Sequence, residues 1–259
     1  MTHPAHIQVT TADRVTTLRF ARPEKKNAIT LDMYRALRHG LAAAAADPAV
    51  RAVVLAGSRD CFTAGNDLGD FLARARTPAP TTEVSAGLEF VRALAAFEKP
   101  VVASVAGLAI GIGTTMLLHV DLIFAAPSAR FRMPFVDLGL VPEAGSSILL
   151  PALVGPRRAA QLLLLGEQID AATALSWGLI NQVVADPDAA AATAAARLAA
   201  GPPGALRATR ALLRRTTRDA VLEAIRVEGE VFAERLRSPE ALEALQAFTA
   251  RRPADFSRF

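Results

Sequence analysis

The sequence predicts an α/β fold built from successive ββα units and closed by an all-helical segment. Three observations support this. Strand, strand and helix patterns recur in turn through residues 1–200. The run Val101–Val105 is apolar at nearly every position, as expected for a strand covered on both faces. After Gly201-Pro202-Pro203-Gly204 only helical periodicity follows. The chain therefore divides into a core over residues 1–200 that carries the active site and a helical region over 201–259 suited to oligomerisation. With 259 residues, 52% hydrophobic content and a mean hydropathy of +0.28, it can bury a large core, which excludes a disordered or fibrous protein.

In order along the chain, Ile7–Thr10 and Val15–Phe20 alternate about a turn at Ala12-Asp13 and predict a hairpin, followed by an irregular loop at Arg22–Asn27. Thr30 opens a helix to about Ala46, and Val50–Ala56 is a buried strand ending at Gly57. A short helix is expected near Leu68–Leu72, and Arg76–Thr82, which lacks an apolar period, is expected to be a mobile loop. Val84–Phe97 is helical until Lys99-Pro100 stops it. A second strand-to-helix loop leads to helix at Met116–Leu118 and short strands at Leu122–Ala125 and Arg130–Met133. Helices follow at Gly155–Leu165, Ala171–Gly178 and Ala189–Ala200, with a strand at Gln182–Val184. The tail predicts helices at Ala205–Arg215, Ala220–Arg237 and Pro239–Arg252. Within it Leu222, Ile225, Val231, Phe232 and Leu236 need a covering surface, from the main domain or another subunit.

Composition narrows the function. The net charge is only +4 despite a pI of about 9.9, the basic residues are dispersed, and aromatics make up 5% of the chain, which argues against nucleic acid as a partner. Lys25, Lys26 and Lys99 are the only lysines among many arginines and alanines, a bias typical of a GC-rich bacterial genome. The lone Cys61 excludes an internal disulfide and a multi-thiolate metal site. No signal pattern opens the chain and no apolar run reaches a membrane-span length, so a cytoplasmic protein without membrane contact is expected.

Three separated segments carry the chemistry. They are Ala64-Gly65-Asn66-Asp67, the glycine-rich Gly107-Leu108-Ala109-Ile110-Gly111-Ile112-Gly113, and Leu140-Val141-Pro142-Glu143-Ala144-Gly145-Ser146-Ser147. Two can aim backbone N–H groups and the third offers one carboxylate, so together they suit removal of an α-proton from a carbonyl compound. Taken singly, each has a plainer reading. The glycines fail as a dinucleotide fingerprint because Met116 stands where a third glycine belongs, but they also fit simple close helix packing. Asn66 and Asp67 also fit an ordinary turn with an N-cap, and Glu143 a carboxylate at a helix N-terminus. His3, His6, His39 and His119 have no ligand spacing, and His119 reads as a core residue. Ser146 and Ser147 lack a nucleophile-elbow context, Cys61 reads as apolar filler, and Asp121 reads as structural. Asp137 remains a reserve carboxylate.

In this order the segments resemble the crotonase (enoyl-CoA hydratase/isomerase) superfamily, from the Arg22-Pro23 loop to the helical tail. Gly65-Asn66-Asp67-Leu68 and Pro142-Glu143-Ala144-Gly145-Ser146-Ser147 look most like the peroxisomal-type Δ3,Δ2-enoyl-CoA isomerases and their bacterial relatives, and Pro134-Phe135, Leu138-Gly139 and Ala247-Phe248 fit as well. The resemblance implies a crotonase-like spiral of ββα units with a C-terminal helical trimerisation region, as a homotrimer or hexamer. It implies an oxyanion hole from the N–H groups of Asn66 and Ile112, with Ala64 and Gly111 beside them in the substrate site, and Glu143 as the base. The two glutamates of hydratases fall on Thr115 and Phe135, so the expected reaction is a double-bond shift rather than hydration. Leu68, Phe71, Phe135, Leu138 and Leu140 are expected to line an apolar acyl pocket that raises the pKa of Glu143. Lys25, Lys26 and Arg251 are the candidates for the coenzyme A phosphates, with Phe248 near the adenine. The implied substrate is an acyl-CoA thioester, with neither metal nor separate cofactor. The alternatives are a hydratase or other lyase using Glu143 or Asp137, and a non-catalytic acyl-CoA-binding module.

Overall fold

The computed structural model describes residues 6–75 and 85–259; the loop expected at Arg76–Thr82 lies outside the described residues. Strands β1 (Ile7–Ala12) and β2 (Val15–Phe20) form an antiparallel hairpin. The first strand runs two residues further than expected, and the turn is Asp13-Arg14, both at positive φ (47° and 65°), the geometry that suits the twist of a two-residue hairpin loop. A 3-10 turn at Pro23–Lys25 leads to helix α1 (Leu31–Ala46), whose Thr30 side chain caps the N–H of Met33. Met33, Leu37, Leu41 and Ala44 recur at helical spacing on its buried face.

The ββα repeat then begins. Strands β3 (Ala52–Ala56) and β4 (Cys61–Thr63) precede helices α2 (Leu68–Ala75) and α3 (Ala86–Ala96). Strands β5 (Val101–Val105) and β6 (Leu108–Ile110) precede helix α4 (Ile112–Thr115), which runs into a 3-10 turn at Met116–His119. Strands β7 (Leu122–Ala125) and β8 (Arg130–Arg132) lead through a 3-10 turn at Val136–Leu138 to helices α5 (Ser146–Val154) and α6 (Pro156–Leu164). After β9 (Ile169–Asp170), α7 (Ala171–Ser176), β10 (Gln182–Val183) and α8 (Pro187–Ala200) come the tail helices α9 (Pro203–Arg214), α10 (Arg218–Arg235) and α11 (Pro239–Thr249).

Each repeat places its first strand in one sheet and its second in another. The six-stranded sheet runs β1-β2-β3-β5-β7-β10 and the four-stranded sheet β4-β6-β8-β9. All pairings are parallel except β1 with β2 and β8 with β9. The expected second strand-to-helix loop is thus a correction: it contains β6, and the run after Gly57 contains β4. Three-residue strands leave no alternating pattern to read.

In β3, Val53 and Leu55 enter the main core whereas Ala52, Val54 and Ala56 face Ala191 and Ala195 of α8, so both faces of the strand are covered. The tail shares this core. Val221, Ile225, Leu236, Ala241 and Leu245 are buried in the same cluster as the sheet residues, with Leu222 and Phe232 packed against it, while Val231 stays exposed. The main domain therefore covers most of the apolar face expected to need a surface.

Polar bonds fasten the tail as well. Arg210 of α9 reaches both oxygens of Asp121 at 2.9 and 2.7 Å and also donates to the Phe97 carbonyl, while Arg214 joins Asp121 at 2.9 Å and the His119 carbonyl at 2.7 Å. Among the described residues no helix is long and apolar enough to cross a membrane. Because the Arg210 side chain is only 7% exposed, Asp121→Ala should cost about 3–5 kcal/mol by stranding a buried guanidinium. Urea unfolding at pH 7 measures this, and a loss below about 1 kcal/mol would show that the contact does not anchor α9.

Candidate active site

The first segment is stitched to the Arg22–Asn27 loop. Asn27 is fully buried, and its amide donates to the carbonyls of Cys61 and Phe62 at 2.8 and 3.1 Å. The Thr63 hydroxyl donates to the Asn27 carbonyl at 2.7 Å, and Ala64 N–H donates to the Lys26 carbonyl at 2.9 Å. A parallel bridge then joins Ile29 to Asn66: Ile29 N–H donates to Gly65, and Asp67 N–H donates to Ile29. In such a bridge the intervening Asn66 N–H points away from its neighbour, and no bond to it is made among the described residues. Asp67 does cap a helix, accepting from Gly69 N–H at 2.9 Å, and is paired with Arg22 at 2.7 Å.

In the glycine-rich segment the plain reading accounts for one glycine. A side chain at Gly113 would meet Thr63 Cγ2 at 2.7 Å, so that glycine serves close packing. Gly111, at φ +57°, is the N-cap of α4 and gives its own N–H to the Arg132 carbonyl at 2.8 Å. Ile112 is therefore the first helical residue, and its N–H has no acceptor within the chain's described residues.

The third segment makes a sharp turn. Ala144 and Gly145 are consecutive residues at φ +63° and +71°, after which α5 starts at Ser146. For alanine this region costs roughly 1–2 kcal/mol, so the surroundings must hold it. Ser146 Oγ donates to the Glu143 carbonyl at 2.6 Å, and His119 Nε2 lies 2.7 Å from the Ala144 carbonyl. A carbonyl only accepts, so Nε2 carries the hydrogen. Burial, reinforced by Arg214 and Arg210, pushes the His119 pKa down to about 4, which keeps the ring neutral.

Asn66, Ile112 and Glu143 line one cavity of about 460 Å³, within the range of small-molecule sites. Its apolar wall includes Ile29, Leu31, Phe71, Leu88, Val91 and, from α10 and its C-terminal end, Ile225, Phe232 and Leu236. Phe71 and Phe232 meet edge to face at 5.8 Å. Enclosure of the Glu143 carboxyl, reinforced by the nearby Glu228 charge, pushes its pKa up to about 8 against the lowering effect of a hydroxyl bond from Thr115. The other cavity carboxylates are held differently: Asp67 by Arg22, Asp70 by the Leu31 N–H at 3.2 Å, and Glu230 by Arg226 at 2.7 Å.

Of the expected acyl-pocket residues, only Phe71 reaches this wall. Phe135 and Leu140 are buried in the main core, and Leu68 and Leu138 pack against that core without lining the cavity. Asp137 turns away to pair with Arg132 at 2.9 Å, so the reserve carboxylate is removed from the site. Lys25 and Lys26 are exposed, with Lys26 beside Ala64 through the backbone bond. Phe248 and Arg251 are exposed at the end of α11, and no bond links them to the lysines among the described residues. Sequence reasoning missed Tyr34, whose hydroxyl donates to Asn66 Oδ1 at 2.6 Å, and the roles of Thr115 and Glu228. Ile225, Phe232 and Leu236 had been visible only as an unpartnered apolar stripe.

A family model described as enoyl-CoA hydratase/isomerase matches residues 10–258. The chain belongs to that family. It is 35% identical over 248 residues to the 1,2-epoxyphenylacetyl-CoA isomerase of Escherichia coli K12, covering 94% of this chain and 95% of that protein. It is 38% identical over 179 residues to the peroxisomal enoyl-CoA delta isomerase 3 of Mus musculus; that match covers 68% of this chain but spans only 56% of the mouse protein. The solved structure of Pseudomonas aeruginosa OdaA is 43% identical, covers 94% of this chain and 98% of its own, and superposes with a TM-score of 0.90. The crotonase fold expected from the sequence is therefore the fold of this family member.

The raised pKa of Glu143 has a stability consequence. Between the ordinary 4.5 and about 8 the folded protein holds a proton that the unfolded chain releases, so this residue's contribution falls as pH rises through that window. Glu143→Gln should therefore melt close to the wild type at pH 4.5 and progressively above it toward pH 9 in calorimetry. A difference that does not grow with pH would contradict the raised pKa.

Proposed function

We propose that the protein is a Δ3,Δ2-enoyl-CoA isomerase acting on acyl-CoA thioesters. The observation that supports this most is one carboxylate of raised pKa, Glu143, sharing a cavity with the two residues whose N–H groups have no acceptor among the described residues. Glu143 takes a proton from C2 of a 3-enoyl-CoA, and the electron pair moves onto the thioester oxygen to form a dienolate. The N–H groups of Asn66 and Ile112 hold that oxygen, a contribution of roughly 3–4 kcal/mol per donor in other enzymes. The carboxylic acid then returns the same proton at C4, leaving the 2-enoyl product and a regenerated carboxylate.

The Thr115 hydroxyl, standing where the resemblance places a hydratase glutamate, binds Glu143 instead of supplying a second acid or base. Phe135, at the other such position, is buried in the core. Hydration would need a second group to activate water, which favours the proton shuttle. Exposed Leu164, Leu165, Leu212 and Leu213 suit assembly with further copies, in keeping with a trimer or hexamer. Lys26, whose carbonyl accepts from the Ala64 N–H, and its neighbour Lys25 are assigned to the coenzyme A phosphates.

Purified protein should convert 3-enoyl-CoA to 2-enoyl-CoA, and Glu143→Gln should lower kcat about 10²–10⁴-fold. An unaltered rate in that variant, or hydration of 2-enoyl-CoA as the main activity, would defeat the proposal. In the same assay kcat/KM should fall below an apparent pKa near 8, because the base must be ionised to act.

A further inference from the structure

We propose that Glu228, from helix α10 of the C-terminal tail, is the positioning residue for Glu143: its buried carboxylate holds the start of α5 and with it the turn that presents Glu143 to the cavity. This rests on the reading of Glu143 as the base. Glu228 is 7% exposed, and its oxygens are spent on one target. One oxygen accepts from Gly145 N–H at 2.6 Å, and the other from Ser147 N–H at 2.9 Å and Ser147 Oγ at 2.5 Å. It thus supplies, from 83 positions away in the chain, the side-chain cap that α5 lacks locally, since the N-cap residue is Gly145.

The placement matters because the turn is strained. Ala144 and Gly145 both lie in the left-handed region directly after Glu143. Without an anchor on the Gly145 N–H the chain could relax and swing Glu143 away from Asn66 and Ile112. Displacements of about 1 Å can cost 10²-fold in rate. The remaining holds grip other points: His119 the Ala144 carbonyl, Ser146 the Glu143 carbonyl, and Thr115 the carboxylate itself.

A second consequence is electrostatic. Glu228 does not line the cavity, yet its charge is felt by Glu143 and disfavours ionisation there. The other groups around Glu143 are accounted for on each element: neutral His119 on the 3-10 turn after α4, Tyr34 on α1, Asp67 and Asp70 at α2, Arg92 on α3, and Arg226, Glu230 and Arg237 on or just after α10. Asp67 and Glu230 are paired with arginines and Asp70 accepts from the Leu31 N–H, whereas the charge of Glu228 is the one that raises the Glu143 pKa. The tail helix therefore sets where the base stands and adds to the rise in pKa that enclosure causes.

The test compares Glu228→Gln, which keeps reach and removes charge, with Glu228→Asp, which keeps charge and withdraws the carboxylate by one methylene. The Gln variant should move the acid limb of kcat/KM to lower pH. The Asp variant should leave the limb in place while lowering kcat about 10- to 100-fold at unchanged KM. Carbon-13 NMR of the Glu143 carboxyl, assigned by its loss in Glu143→Gln, reads the same titration without substrate. If the Gln variant does not fold, the Asp variant decides. Wild-type kcat and titration in folded variants, or failure of both to fold, would overturn the proposal, the latter by making Glu228 an element of the core. A shifted carboxyl titration in a protein without isomerase activity would retain the role of Glu228 and discard the isomerase reading.

Discussion

Taking the Glu143 carboxyl out of water without giving it a cation is costly, and much of the surrounding structure is arranged about that cost. A buried carboxylate normally acquires an arginine or lysine, which would drop its pKa and make it a poor base at neutral pH. Arginines are abundant in this chain, yet none is ion-paired with Glu143 among the described residues: Arg22 pairs with Asp67, Arg226 with Glu223 and Glu230, and Arg237 donates to the Ala233 carbonyl. Glu143 receives instead a threonine hydroxyl and the field of another carboxylate. The first tempers the rise in pKa that enclosure causes and orients the side chain; the second adds to that rise.

The two-sheet spiral explains how distant segments reach one cavity. Each repeat sends a long buried strand through the six-stranded sheet and a three-residue strand through the second, so the ends of β4 and β6 lie side by side in parallel register. Asn66 follows the first and Ile112 the second. Their N–H groups are left free for opposite reasons: one is the outward half of a bridge with Ile29, the other opens a helix behind Gly111. Neither needs a special side chain, which is why Tyr34 binds the Asn66 side chain while its backbone stays available.

The fold was legible where periodicity is strong. The hairpin, α1, the apolar strands β3 and β5 and the tail helices all follow patterns longer than four residues, whereas β4, β6 and β9 are too short to show one. The three segments were legible because their backbone chemistry is local. Contacts spanning the chain were not: Thr115 with Glu143, and Glu228 with Gly145, join residues 28 and 83 positions apart. The apolar residues expected to line a pocket differ from those that line this cavity for the same reason. Hydrophobic character alone does not distinguish Phe135 and Leu140, which enter the core, from Ile225, Phe232 and Leu236, which α10 folds back over the cavity. Asp137 looked available by proximity in sequence, but Arg132 occupies it.

In the proposed reaction Glu143, opposed to the Asn66 and Ile112 N–H groups, removes a proton next to a thioester carbonyl. Exchange at C2 of a saturated acyl-CoA in deuterated water isolates that step from any movement of a double bond. The wild type should introduce deuterium at C2 and Glu143→Gln should not. Exchange that continues undiminished in the variant would contradict it.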